Sequence, residues 1–199
     1  LSFTLDNLDL AAPTYGNDVK VNGLALAACG AYNAAQDVTF TVADVLTTDE
    51  ANSFGGINTV TVTGADGKNY PTTFTPAATA TDPVTVTINT GVNQEYTVVI
   101  TDKAGNTNVA AAKFTLDCFD MTDPAEIANI TVGTKAYAER ETSKTALTVT
   151  FTANDLVGDA SGNATADQWS GLDTLTVTGV KDGKNYYTLA DADKTNGTT

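Results

Sequence analysis

The sequence predicts an all-β fold of tandem β-sandwich modules, the second of them incomplete. Valine and threonine alternate in runs such as Val60-Thr61-Val62-Thr63 and Val84-Thr85-Val86-Thr87. That pattern puts branched apolar side chains on one face and hydroxyls on the other, at the two-residue period of a strand. Gly, Asn, Asp and Pro punctuate the runs, and no segment carries the helical apolar period. The chain also repeats itself: residues 113–124, KFTLDCFDMTDP, match residues 2–13, SFTLDNLDLAAP, at six of twelve positions.

The elements follow in order. Strands are expected at 19–22 and 38–43, where Val38, Phe40 and Val42 alternate with Thr, and at 58–64. Asp66-Gly67 then suits a tight hairpin, because both central residues of such a turn want positive φ; a strand at 69–75 follows. Strands at 84–89, 95–101 and 109–117 complete the set. Seven short strands within about 100 residues describe an immunoglobulin-like sandwich, with a β-barrel of similar size as the alternative. Phe40, Phe114 and Phe151 are core residues by their alternation with Thr, and Tyr96 sits where such folds place a tyrosine corner.

A second internal match sets the repeat length. Residues 54–64, FGGINTVTVTG, agree with 169–179, WSGLDTLTVTG, at six of eleven positions, and both run on into an Asp-Gly turn and a tyrosine, Tyr70 and Tyr186. Between these anchors, DVTFTVADV (37–45) faces LTVTFTANDL (147–156), which pairs Asp44 with Asp155. The expected organisation is residues 1–8 as the last strand of a preceding or partner module, 9–119 as a complete sandwich, and 120–199 as a partial one ending before its equivalents of 84–117. Either the chain is a window on a longer array, or the strand Ser2, Phe3, Thr4, Leu5 and Asp6 completes a partner's sandwich by strand exchange.

Composition excludes several functions. With 24 acidic and 10 basic residues the net charge is −14, which repels nucleic acid and anionic membranes and attracts cations. No apolar run approaches the length of a membrane span and no leader pattern is present, so no direct membrane insertion is expected and the chain reads as a mature or excised segment. There is no histidine, which excludes a Cys-His nucleophile and histidine-based zinc hydrolysis. GxSxG, P-loop and dinucleotide fingerprints are lacking too. A carboxylate pair of the glycosidase kind is the remaining catalytic option. A single Trp and minimal sandwiches leave little room for a sugar cleft, so the chain is expected not to be an enzyme. Asn129, Asn163 and Asn196 head glycosylation sequons, which fit an extracellular, cell-surface location, while two cysteines in 199 residues say little about compartment.

Residues 95–108, EYTVVITDKAGNTN, closely resemble the penultimate-strand signature Y-x-V-x-x-x-D-x-A-G-N of bacterial and archaeal tandem Ig-like surface repeats, the repeats of S-layers, adhesins and extracellular filaments. VTFTVAD followed by GGINTVTV, and TVTFTAND followed by SGLDTLTV, resemble the earlier part of those repeats. In such a sandwich the chain entry and two of the loops share one pole, which gathers Asp9, Asp44 and Asp102, with Asn106 beside them. The second module repeats the arrangement with Asp120, Asp123 and Asp155. Calcium, which takes six to eight oxygens, is the ion such a cluster would hold; the alternative is turn-forming, solvated aspartates. Residues 159–170 space Asp159, Ser161, Asn163, Thr165 and Asp167 like half an EF-hand loop, but Ser170 stands where a bidentate Glu is needed. Cys29 and Cys118 fall at the opposite pole, as a disulfide or as two core thiols. Trp169, like Phe54, covers one end of a core or meets a ligand.

The expected function is a structural subunit of an extracellular assembly, rigidified by calcium and linked by strand complementation to copies of itself or to adjacent Ig-like modules. The alternative is an adhesin module that binds glycan or protein through the loops around Asp159 and Trp169.

Overall fold

The valine-threonine runs become the long central strands of two antiparallel sheets. The computed structural model describes residues 9–44, 55–76, 82–124, 127–139, 143–155, 157–158, 164–165, 172, 174–188 and 197–198. The chain forms two units, Leu1–Phe119 and Asp120–Thr199. Among the described residues there is no α-helix; the only helical turns are the short 3-10 segments Leu26–Ala28 and Tyr137–Glu139.

The first unit contains β1 Thr14–Tyr15, β2 Lys20–Val21, β3 Leu24–Ala25, β4 Gln36–Ala43, β5 Ile57–Gly64, β6 Asn69–Tyr70, β7 Thr73–Phe74, β8 Val84–Thr90, β9 Glu95–Asp102 and β10 Ala112–Thr115. One sheet has the order β3-β2-β4-β8-β7, with β1 also on β4, and the other the order β10-β9-β5-β6. Val38, Phe40, Val42, Val84, Val86 and Ile88 of the first meet Val60, Val62, Tyr96, Val98, Ile100 and Phe114 of the second in one buried cluster. The two sheets therefore face each other as a β-sandwich, with threonines on the outer faces. Phe40 lies 5.7 Å from Phe114, and Tyr96 stacks on Phe114 at 5.1 Å. The Tyr96 hydroxyl, inside this core, donates to the Val92 carbonyl at 2.8 Å and takes a hydrogen bond from Thr90 Oγ1 at 2.8 Å.

Four expectations need correction in detail. The strand expected at 69–75 is two strands, because Pro71 has no N–H to donate to a ladder; β6 pairs with β5, and after Pro71 the chain crosses to place β7 on β8. The expected 109–117 strand shortens to β10, because the Asn108 side chain takes the ladder's place: its Oδ1 accepts from Ile100 N–H at 2.9 Å and its Nδ2 donates to Ala110 O at 2.7 Å. The Asp66-Gly67 turn is not a two-residue hairpin, since Gly67 has φ 75° but Asp66 is not in the left-handed region. Instead Asp66 Oδ1 accepts from Lys68 N–H at 3.1 Å, within a loop closed by Gly64 N–H donating to Lys68 O. Finally, β3 was not foreseen although Asn22-Gly23, with φ 49° and 80°, is the strongest short hairpin signal in the chain.

The second unit contains β11 Ala128–Val132, β12 Lys135–Ala136, β13 Val149–Thr152, β14 Asn154–Asp155, β15 Val157–Gly158, β16 Ala164–Thr165, β17 Thr176–Thr178, β18 Asn185–Thr188 and β19 Gly197–Thr198. They form a three-stranded sheet, β12-β11-β13, and the pairs β14-β19, β15-β16 and β17-β18. The turn joining β17 to β18 repeats that of the first unit: Gly183 has φ 65°, and Tyr186 Oη donates to Asp182 Oδ2 at 2.8 Å as Tyr70 Oη does to Asp66 Oδ2 at 3.2 Å.

Candidate metal centre

Three carboxylates meet at one end of the first sandwich because strand ends put them there. Asp102 is the last residue of β9, Asp44 follows β4, and Asp9 precedes β1, which pairs with the end of β4. All three are buried, at 7% exposure for Asp9, 2% for Asp44 and 0% for Asp102. One carboxylate oxygen from each lies within 4.8 Å of the others. Oxygens bound to one Ca²⁺ stand about 2.4 Å from the ion, so ligands on opposite sides are separated by about 5 Å. The cluster has the dimensions of a single-ion site.

Local hydrogen bonds hold the carboxylates in place. Asp102 Oδ1 accepts from Gly105 N–H at 2.7 Å and Asn106 N–H at 2.8 Å, which is what the TDKAGN turn accomplishes. Asp44 Oδ2 accepts from Gly56 N–H at 2.5 Å, and Asp9 Oδ1 from Ala11 N–H at 3.0 Å. Asn106 Nδ2 donates to Asp102 Oδ2 at 2.8 Å and to Asp9 O at 3.1 Å. Through its amide nitrogen Asn106 braces Asp102 and the backbone at Asp9. Asp44 Oδ1 is buried with no hydrogen-bond partner. Carboxylates about 5 Å apart repel by about 3 kcal/mol per pair at the effective dielectric of a protein, so a bound cation would offset a large local cost. The aspartates do make turns, but they are not solvated.

In the second unit the corresponding residues are less closely gathered. Asp120 Oδ1 accepts from Thr122 N–H at 3.1 Å. Asp155 is buried, its Oδ1 has no hydrogen-bond partner, and burial, with the charges of Asp120 and Asp123, raises its pKa above the ordinary value. Among the described residues, however, these three do not bring an oxygen each within 4.8 Å.

The other expected positions separate clearly. Cys29 and Cys118 lie at disulfide distance, Cα atoms 6.0 Å apart across 89 residues of sequence. They stand near the start of β9, whose other end carries Asp102: Asn93 Nδ2 donates to Phe119 O and Tyr32 N–H to Cys118 O. A strand of this length spans about 25 Å. Asn129 is exposed on β11, with φ 53°. Ser2, Phe3, Thr4, Leu5, Asp6, Phe54, Asp159, Ser161, Asn163, Asp167, Trp169, Ser170 and Asn196 lie outside the described residues, and of Thr165 only the strand is described. Among the described residues no helix is long and apolar enough to cross a membrane. No protein-family model, no curated protein and no solved structure matches this chain.

Proposed function

We propose that the chain is a structural element of an extracellular assembly, built from Ig-like modules and stiffened by Ca²⁺ at the end of the first sandwich where the chain enters. The observation that carries this reading is the buried Asp9-Asp44-Asp102 cluster, in which Asp44 Oδ1 has no hydrogen-bond partner. Three further features support it. Strands β2, β4, β8 and β7 against β10, β9 and β5 follow the four-plus-three division of an Ig-like sandwich, and Tyr96 bonds back to the backbone as a tyrosine corner does. The cysteine pair suits an oxidising compartment. Asp9 also lies in the segment that leads into the module, so an ion there ties the entering chain to β4 and β9.

Calorimetry of the intact chain in excess Ca²⁺ and in chelator tests the proposal. At free Ca²⁺ a hundredfold above its Kd the first unit gains about 2.7 kcal/mol, a rise in Tm of about 10 °C or more for a domain of this size. Asp102→Asn should abolish that rise. A Tm indifferent to Ca²⁺ sinks the metal reading and leaves the aspartates as turn-formers.

A further inference from the structure

Among the described residues, the apolar faces of β13 and β17 in the second unit have no cover comparable to that of the first. Leu147, Val149, Phe151, Leu175, Val177 and Tyr186 line an open groove of about 560 Å³. The internal repeat aligns Val149 and Phe151 with Val38 and Phe40, Leu175 and Val177 with Val60 and Val62, and Tyr186 with Tyr70. Val38, Phe40, Val60 and Val62 of the first unit are at most 5% exposed and Tyr70 is partly buried, whereas Val149 is 53% and Tyr186 65% exposed. The difference lies in the neighbouring strands. In the first unit β8 flanks β4, β9 flanks β5, and Phe114 of β10 covers Phe40. In the second, β13 pairs with β11 and β17 with β18, and no other described strand lies on the second edge of either.

We infer that this groove receives an extended strand from a second copy of the chain, the segment Ser2, Phe3, Thr4, Leu5 and Asp6. The sequence names the occupant. FTLD at 3–6 is identical to FTLD at 114–117, and in the first unit Phe114 and Leu116 of that stretch are the buried residues while Thr115 faces out. At the two-residue period Phe3 and Leu5 fall on one face, so an extended segment offers the groove the same kind of apolar side chains that Phe114 and Leu116 bury in the first unit. The incoming backbone pairs with the second edge of β17, the place that β9 takes on β5 in the first unit, an augmentation in which main-chain bonds hold the strand and two apolar side chains set its register. Each copy gives a strand at one end and accepts one at the other, so the contact is heterologous and does not close on itself. The product is a head-to-tail chain of copies. This inference rests on the structural-assembly reading above but does not require Ca²⁺.

Sedimentation of the full chain over a range of concentrations tests it. The expected result is a ladder of dimers and longer species. Phe3→Asp combined with Leu5→Asp leaves monomer, with at least a tenfold loss in association constant. Phe151→Asp, which spoils only the groove, also leaves monomer. Mixed in equal amounts, the two variants form a dimer and stop there, because the mixture holds one sound strand per sound groove. A chain that stays monomeric at its highest soluble concentration overturns the inference, as does a ladder that survives the Phe3/Leu5 substitutions. If Phe151→Asp does not fold, the Phe3/Leu5 variant alone decides. Asp102→Asn separates the two proposals: it removes the Ca²⁺-dependent rise in Tm and leaves the ladder intact.

Discussion

Asp155 is a buried carboxyl whose oxygen Oδ1 meets no donor, with Asp120 and Asp123 adding like charge. Its pKa is raised above the ordinary 3.8, so the folded chain binds this proton more tightly than the unfolded chain does. The resulting stability is fully present below the ordinary carboxylate value and is lost as pH rises through the folded-state pKa. In chelator, the unfolding free energy of the intact chain should fall across that interval. Asp155→Asn should flatten the slope, and a pH titration of denaturant midpoints reads it directly. Tyr96 is the opposite case, a buried hydroxyl that is fully used because Val92 O accepts its proton and Thr90 donates to its oxygen. Its role was legible from its place in the strand, whereas the missing partner at Asp155 was not, since hydrogen-bond satisfaction depends on what folding brings alongside.

Strands were readable where valine and threonine alternate, and β4, β5, β8 and β9 lie close to where that alternation puts them. The short elements were harder, because a two-residue strand has too few residues to show a period. Their positions are set by single side chains: Pro71 ends β6, and Asn108 stands in for the first rungs of β10. Asn108→Ala should therefore act on the element. It leaves the Ile100 N–H without its acceptor and should cost about 1 to 2 kcal/mol. Hydrogen exchange at the Ile100 amide should accelerate while amides of β4 and β8 change only as far as global stability does. Unchanged exchange at Ile100 would show that water or a shifted β10 replaces the side chain.

Across the first unit, the cysteine pair and the Asp cluster brace opposite ends of the same strands. Reduction of Cys29–Cys118 releases an 89-residue loop, and the chain-entropy model puts the loss at about 4 to 5 kcal/mol before any strain is subtracted. That is a large part of the stability of a domain of about 110 residues. Reduced protein should unfold at clearly lower denaturant, with its Ca²⁺ response retained while it remains folded, because the ion site and the disulfide share no residue.

The all-β class, the internal repeat and the long strands were present in the linear order of residues, since alternation and self-similarity are local properties, whereas singling out Asp9, Asp44 and Asp102 among 24 acidic residues also took the loop order of a sandwich. Burial of the cluster, the spare oxygen of Asp44 and the inward turn of the Asn106 amide depend on the meeting of three segments separated by dozens of residues. The contrast between Phe40 and Phe151 makes the same point. Identical residues in matching runs of sequence end in different surroundings, because burial is decided by the strands that arrive alongside and not by the residue that waits for them.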